Sequence, residues 1–271
     1  MATAEPVLAA LIQPAPLSSL TPASIQKLAG TYPPSVAARA DDIFALARLF
    51  TISLAKGEAS DQAQRWHHLL MAAGNFKRQG GSIRIGPLIQ AAHSPPPPPF
   101  VPPGAEEGAI PLTATSGHEY FKTIKGLRRV PTASVVVAAL WPDENLIADR
   151  RDLNAAIGLL LPSVNGNSVL YDELRAWSRN RGRVGIVTSD YEWLKAVAGK
   201  TRRQPGFGGV SMLSLERALF MLDKRTAQIA WPEYSVEILR QAELCPGCHA
   251  LRDERHAARC AHVVEQAASV W

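Results

Sequence analysis

Four residues near the end of the chain have the types and the spacing of a metal site: Cys245, Cys248, His256 and Cys260. A Cys-x2-Cys pair can form a tight turn that points two thiolates at one ion, and Pro246-Gly247 suits that turn. His256 and Cys260 lie four residues apart, so on a helix they share one face. Together they offer the sulfur and imidazole ligands with which zinc closes a tetrahedron, an arrangement that makes the ion a structural staple and not a catalyst. His249 and His262 are spare ligands of the same kind. Two readings compete: a redox pair, for which the surrounding βαβ pattern is missing, and reduced cysteines in an Ala-rich helix. Three cysteines gathered in one corner do not make a disulfide framework.

The second group is cationic. Arg175, Arg179, Arg181, Arg183, Lys195, Lys200, Arg202 and Arg203 are opposed within their own segment only by Asp190 and Glu192. The formal charge of the whole chain is +5, so this one segment holds the entire positive excess. Guanidinium groups bind phosphates as charge-assisted forks, and flat rings stack on unpaired bases. Trp177, Tyr191, Trp193 and Phe207 are interleaved with the cations. The two tryptophans fall on the apolar faces of their helices, which favours a core role for them over stacking. The stretches 179–183 and 200–209 read as mobile enough to wrap a backbone, and Lys122, Lys125, Arg128 and Arg129 form a smaller basic cluster that extends the surface. Nothing resembles a base-reading module, so the binding expected here is independent of sequence.

Catalytic signatures are missing. The chain has no phosphate-binding loop, no dinucleotide fingerprint, no HExxH and no GxSxG. The glycine-rich stretch 204–211 lacks the Lys and Ser/Thr of a phosphate loop and reads as an ordinary loop. His67 and His68 are adjacent on a helix and point apart. Asp143, Glu144 and Asp149 read as cap and surface charges. The expectation is a protein that is not an enzyme and has no catalytic residues.

The elements that must position these groups are mainly α-helical: short helices, few short strands and a proline-rich extended spacer. Thr21-Pro22 is an N-cap followed by proline at the first helical position, with the helix stopping at Gly30. From Pro34 to Gly57, Val36, Ile43, Ala47, Phe50 and Leu54 recur at helical spacing. Ser60-Asp61 caps a second long helix with Trp66, Leu69, Leu70, Ala73 and Phe76 facing inward. Residues 82–89 alternate as a short edge strand. Residues 94–111 hold eight of the 21 prolines and read as polyproline backbone, a linker or strap, with capture by an aromatic-groove partner as the alternative. Short helices follow over 116–129 and 132–142, the latter ambiguous between helix and strand at Val135-Val136-Val137. Helices are then expected over 144–161 and 168–182, a short strand over 183–189, a helix over 190–200 capped by Ser189 or Asp190 and stopped near Gly199, and a last long helix over 212–230. The regions are therefore 1–93, 94–115, 116–240 and 241–271.

Composition sets the class. The chain has 271 residues, 46% of them hydrophobic and 20% charged, with no apolar run long enough to span a membrane. The N-terminal apolar stretch has no basic leader, so no secretory signal is expected and an intracellular, host-cytoplasmic or virion-associated place is. The 41 alanines, 21 prolines and 18 serines, the basic balance and the missing enzyme motifs resemble the proline–alanine–serine-rich protein of the polymycoviruses, double-stranded RNA viruses of fungi. The resemblance is compositional and carries no residue list across. It implies a capsid-like protein that coats a double-stranded RNA genome and associates with itself as an oligomer or filament. The alternatives are a bacterial or phage nucleic-acid-associated module with a zinc-stapled tail, and an enzyme whose groups are scattered along the chain.

Overall fold

The computed structural model describes residues 8–56, 59–78, 121, 127, 129–160 and 168–226. The described residues are mainly helical, with no strand among them. Nine helices occur there: α1 (Leu8–Leu11), α2 (Pro22–Gly30), α3 (Pro34–Lys56), α4 (Ala59–Arg78), α5 (Val130–Leu140), α6 (Arg150–Leu160), α7 (Ser168–Val184), α8 (Thr188–Arg202) and α9 (Met212–Thr226).

Local chemistry explains several of the boundaries. Thr21 is extended and accepts from the Ser24 N–H at 3.1 Å, while the Ser24 hydroxyl accepts from the Thr21 N–H at 2.8 Å. This reciprocal cap, with Pro22 at the first helical position, starts α2 where the sequence places it. Asp149 and Asp152 do the same for α6: the Arg151 N–H donates to Asp149 and the Asp149 N–H to Asp152. The helix therefore begins at Arg150, not at 144. Residues 145–148 form a buried, non-helical approach to it. The valine run resolves as helix, because α5 is buried on nearly every side and core packing overrides the strand preference of its valines.

The short strand expected over 183–189 does not form. Arg183 and Val184 finish α7, and the Gly185 N–H closes the last turn on the Arg181 carbonyl at 3.0 Å. Gly185 has φ +83°, the left-handed conformation that ends helices. Ile186 is then buried and α8 starts at Thr188. A short apolar run is ambiguous between a strand and a helix-to-helix elbow, and no partner strand lies among the described residues. Two neighbouring details differ as well. Ser189 and Asp190 lie inside the first turn of α8, and the helix continues past Gly199 to Arg202. Likewise α4 already includes Ala59, ahead of its expected cap. The edge strand (82–89), the proline-rich region (94–115) and the helix over 116–129, apart from residues 121, 127 and 129, lie outside the described residues, as does the whole of 241–271.

Two apolar cores result. The first joins α1 and α2 to α6, α7, α8 and α9, around Leu17, Ile25, Leu28, Trp177, Trp193 and Leu215. The second joins the α3–α4 hairpin to α5, with a run of rings from Phe50 to Trp66 (5.2 Å), Phe121 (5.9 Å) and Trp141 (6.5 Å). Each core draws on residues from both sides of 94–115. Among the described residues, no helix is long and apolar enough to cross a membrane.

Candidate nucleic-acid interface

The basic segment is carried by α7, the elbow at Gly185, α8 and the turn after it. The N-terminal segment anchors α8 from one side. Trp193 Nε1 donates to the Ile12 carbonyl at 2.7 Å, Thr201 Oγ1 accepts from the Leu17 N–H at 3.0 Å, and Lys200 Nζ donates to the Pro14 carbonyl at 2.6 Å. Tyr191 is fully buried and donates to Asn145 at 3.0 Å; burial pushes its phenol well above the ordinary range. Trp177, Trp193, Tyr191 and Phe207 are all core residues. The tryptophans behave as their helical faces imply, and none of the four rings is exposed for stacking on a base.

The cations divide by position. Arg181 is 3% exposed and its Nε meets Asp190 Oδ2 at 2.6 Å, with the guanidinium over the Trp177 ring at 5.6 Å. The same Asp190 oxygen accepts from the Val187 N–H at 3.1 Å, so the pair stitches the end of α7 to the start of α8. Burial raises the Asp190 carboxyl above its usual range, opposed by the Val187 N–H and by Arg181. Arg181 is thereby withdrawn from the set of phosphate-binding candidates. The signal was present in the sequence: Leu174, Trp177 and Arg181 lie three and four residues apart, so the arginine shares the apolar stripe of α7.

Arg179, Lys200 and Arg203 are exposed, and Lys195 and Arg202 half-buried. Arg175 and Arg183 lie on α7, four residues to either side of Arg179. Arg129 is exposed at the N-cap of α5, whereas Lys122, Lys125 and Arg128 lie outside the described residues.

At the C-terminal end of α8, Lys195, Arg202 and Arg203 line a cleft of about 590 Å³. One wall is the α8 face with Glu192, Lys195, Gly199 and Arg203, at helical spacing. The other is built from Asp143 and Glu144 in the turn after α5, and from Phe207, Gly208 and Met212 beyond α8. Arg202 ties the walls together: its Nε donates to the Val210 carbonyl at 2.8 Å and its Nη1 to the Asp143 carbonyl. The stretch expected to be a mobile loop is folded into successive turns, closed by the Gln204, Phe207 and Val210 N–H groups and by Gly206 at φ +86°. Cations at this point also complement the negative end of the α8 dipole.

Sequence reasoning missed the carboxylates of the cleft. Glu192 is visible as a helical neighbour of Lys195, but nothing local brings Asp143 and Glu144 to the same place; that needs the Arg202 bridge. His67 and His68 have ring centroids 5.9 Å apart and nearly perpendicular planes. No group of three or more metal-ligating side chains able to hold an ion occurs among the described residues, and Cys245, Cys248, His256 and Cys260 lie outside them. Comparison of the chain with protein-family models, with curated proteins and with solved structures finds no match.

Proposed function

We propose that this chain is a structural nucleic-acid-binding protein that holds the phosphodiester backbone of RNA in many copies side by side, as a genome-coating protein does, and that it is not an enzyme. The observation that carries this reading is the convergence of Lys195, Arg202 and Arg203 on one cleft, with Lys200 exposed on the adjoining stripe of α8. Cations at a preformed edge of a rigid helix can engage phosphate without reorganising the protein. A coating protein needs only a few such contacts per copy, because neighbouring copies add avidity. The double-stranded genome of a fungal virus is the substrate that the compositional resemblance implies, and self-association into oligomers or filaments is part of the same reading.

The test is retention of RNA by the full chain across a salt series. Weak binding with a linear loss of log affinity against log salt, and discrete oligomers or filaments on adding RNA, is the expected result. Absence of retention at low salt rejects the reading. Turnover in a phosphodiesterase or esterase screen would favour an enzyme instead. The reading includes a structural zinc on Cys245, Cys248, His256 and Cys260. Metal analysis of the purified chain should find about one zinc per copy, lost on Cys248→Ser together with several kcal/mol of stability.

A further inference from the structure

The cleft is not the groove that phosphate attraction alone would produce. Asp143, Glu144 and Glu192 stand on the same cavity as Lys195 and Arg203, and a carboxylate repels phosphate. Among the described residues, none of those three carboxylates enters a salt bridge, and neither does Arg203. The cations come from one wall only, which also carries Glu192 one turn before Lys195. Lys195, Arg202 and Arg203 belong to α8 and its end, whereas Asp143 and Glu144 belong to the turn after α5. Because Arg202 bonds the carbonyls of both Asp143 and Val210, the two walls are held at a set separation.

A ligand matching this layout has an anionic edge, a donor-bearing edge and a flat apolar body between them. An unpaired nucleotide has that shape and chemistry. Its phosphate meets Lys and Arg, and the exocyclic amino group of cytosine donates to a carboxylate. Uracil places a carbonyl oxygen where cytosine has its amino group, which sets acceptor against acceptor. A volume of about 590 Å³ lies within the usual span of small-ligand sites. In a duplex the amino edge is already paired, so the site selects single strands.

We propose that the cleft between α8 and the turn after α5 is a nucleotide subsite for an unpaired, amino-bearing base, with phosphate on Lys195 and Arg203 and the base amino group on Asp143 and Glu144. This rests on the phosphate-binding reading and goes beyond its double-stranded substrate, since the subsite engages unpaired stretches that a duplex does not offer. It converts part of a sequence-blind surface into one that distinguishes cytosine from uracil in single strands.

The experiment compares oligocytidylate with oligouridylate of equal length, by fluorescence anisotropy with the full chain at one salt concentration. Oligocytidylate should bind about tenfold more tightly. The variant Asp143→Asn/Glu144→Gln should erase the difference, since an amide can face either base, while circular dichroism stays unchanged. Equal binding of the two oligomers by the natural chain overturns the subsite. So does a variant that gains affinity for both equally, because the carboxylates would then only repel phosphate. If equal binding still weakens on Arg203→Gln, the subsite falls and the phosphate-binding reading stands; if neither oligomer is retained at low salt, both fall.

Discussion

The elbow between α7 and α8 and the far end of α8 are built from the same kinds of residue and use them oppositely. At the elbow, Arg181 and Asp190 are removed from water and face each other at 2.6 Å. At the far end, Lys195, Arg203, Glu192 and Glu144 line an open cleft, with Arg203 and Glu144 exposed to water. A count of charges along the chain cannot separate these uses, because burial decides whether a cation is a structural tie or a surface open to a ligand. The difference confines the nucleic-acid reading to fewer residues than the sequence offers, and assigns the remaining arginine to the core.

The contrast can be broken most forcefully at the elbow. Arg181→Ala leaves Asp190 buried beside no counter-charge and should cost about 3–5 kcal/mol in denaturant unfolding. The double change Arg181→Met/Asp190→Leu should recover most of that loss, since a packed apolar pair of similar volume replaces a buried ion pair with little penalty. A single variant as stable as the natural chain contradicts a structural role for the pair.

Gly185→Ala comes next. The position has room for a methyl group, with nothing within 4 Å of it, but its φ of +83° is unfavourable for any residue with a side chain. A loss of about 1–2 kcal/mol is expected from backbone strain alone. Thermal unfolding measures it, and no change in midpoint would mean that the elbow relaxes.

Smaller still is the pH dependence tied to Asp190. Its folded-state value is raised above the ordinary 3.8 by burial. The folded chain therefore binds that proton more tightly than the unfolded chain. This contribution favours folding below the ordinary value and is lost as pH rises through the raised one. Unfolding free energies of the natural chain should contain a component that declines as pH rises from 3.8 through the raised value and is missing in Arg181→Met/Asp190→Leu. Parallel pH profiles for the two proteins would contradict it.

At the other end of α8, Arg203→Gln should change stability by less than about 0.5 kcal/mol, as surface substitutions away from special features do. A larger loss would mean that Arg203 is a structural tie like Arg181.

Much of this helical frame was legible in the chain. Thr21-Pro22 and Gly30 bound α2 because capping chemistry is local, and the spacing of Ile43, Ala47 and Phe50 buries one face of α3 because helical periodicity is local too. The same logic places Arg181 on the apolar stripe of α7, where burial outweighs its charge. What was not legible depends on tertiary contact. The run 183–189 is an elbow because two helices pack there. Asp143 and Glu144 reach the cleft because a guanidinium far along the chain bonds the Asp143 carbonyl. Hydrophobic periodicity contains no term for either.

The most direct test of the phosphate-binding account is the salt dependence of RNA affinity in the natural chain and in Lys195→Gln/Lys200→Gln/Arg203→Gln, a variant that leaves the Arg181–Asp190 pair intact. The account predicts weaker binding of every RNA tested and a slope of log affinity against log salt shallower by about one for each phosphate contact removed. Equal affinity and equal slope in the two proteins would contradict it.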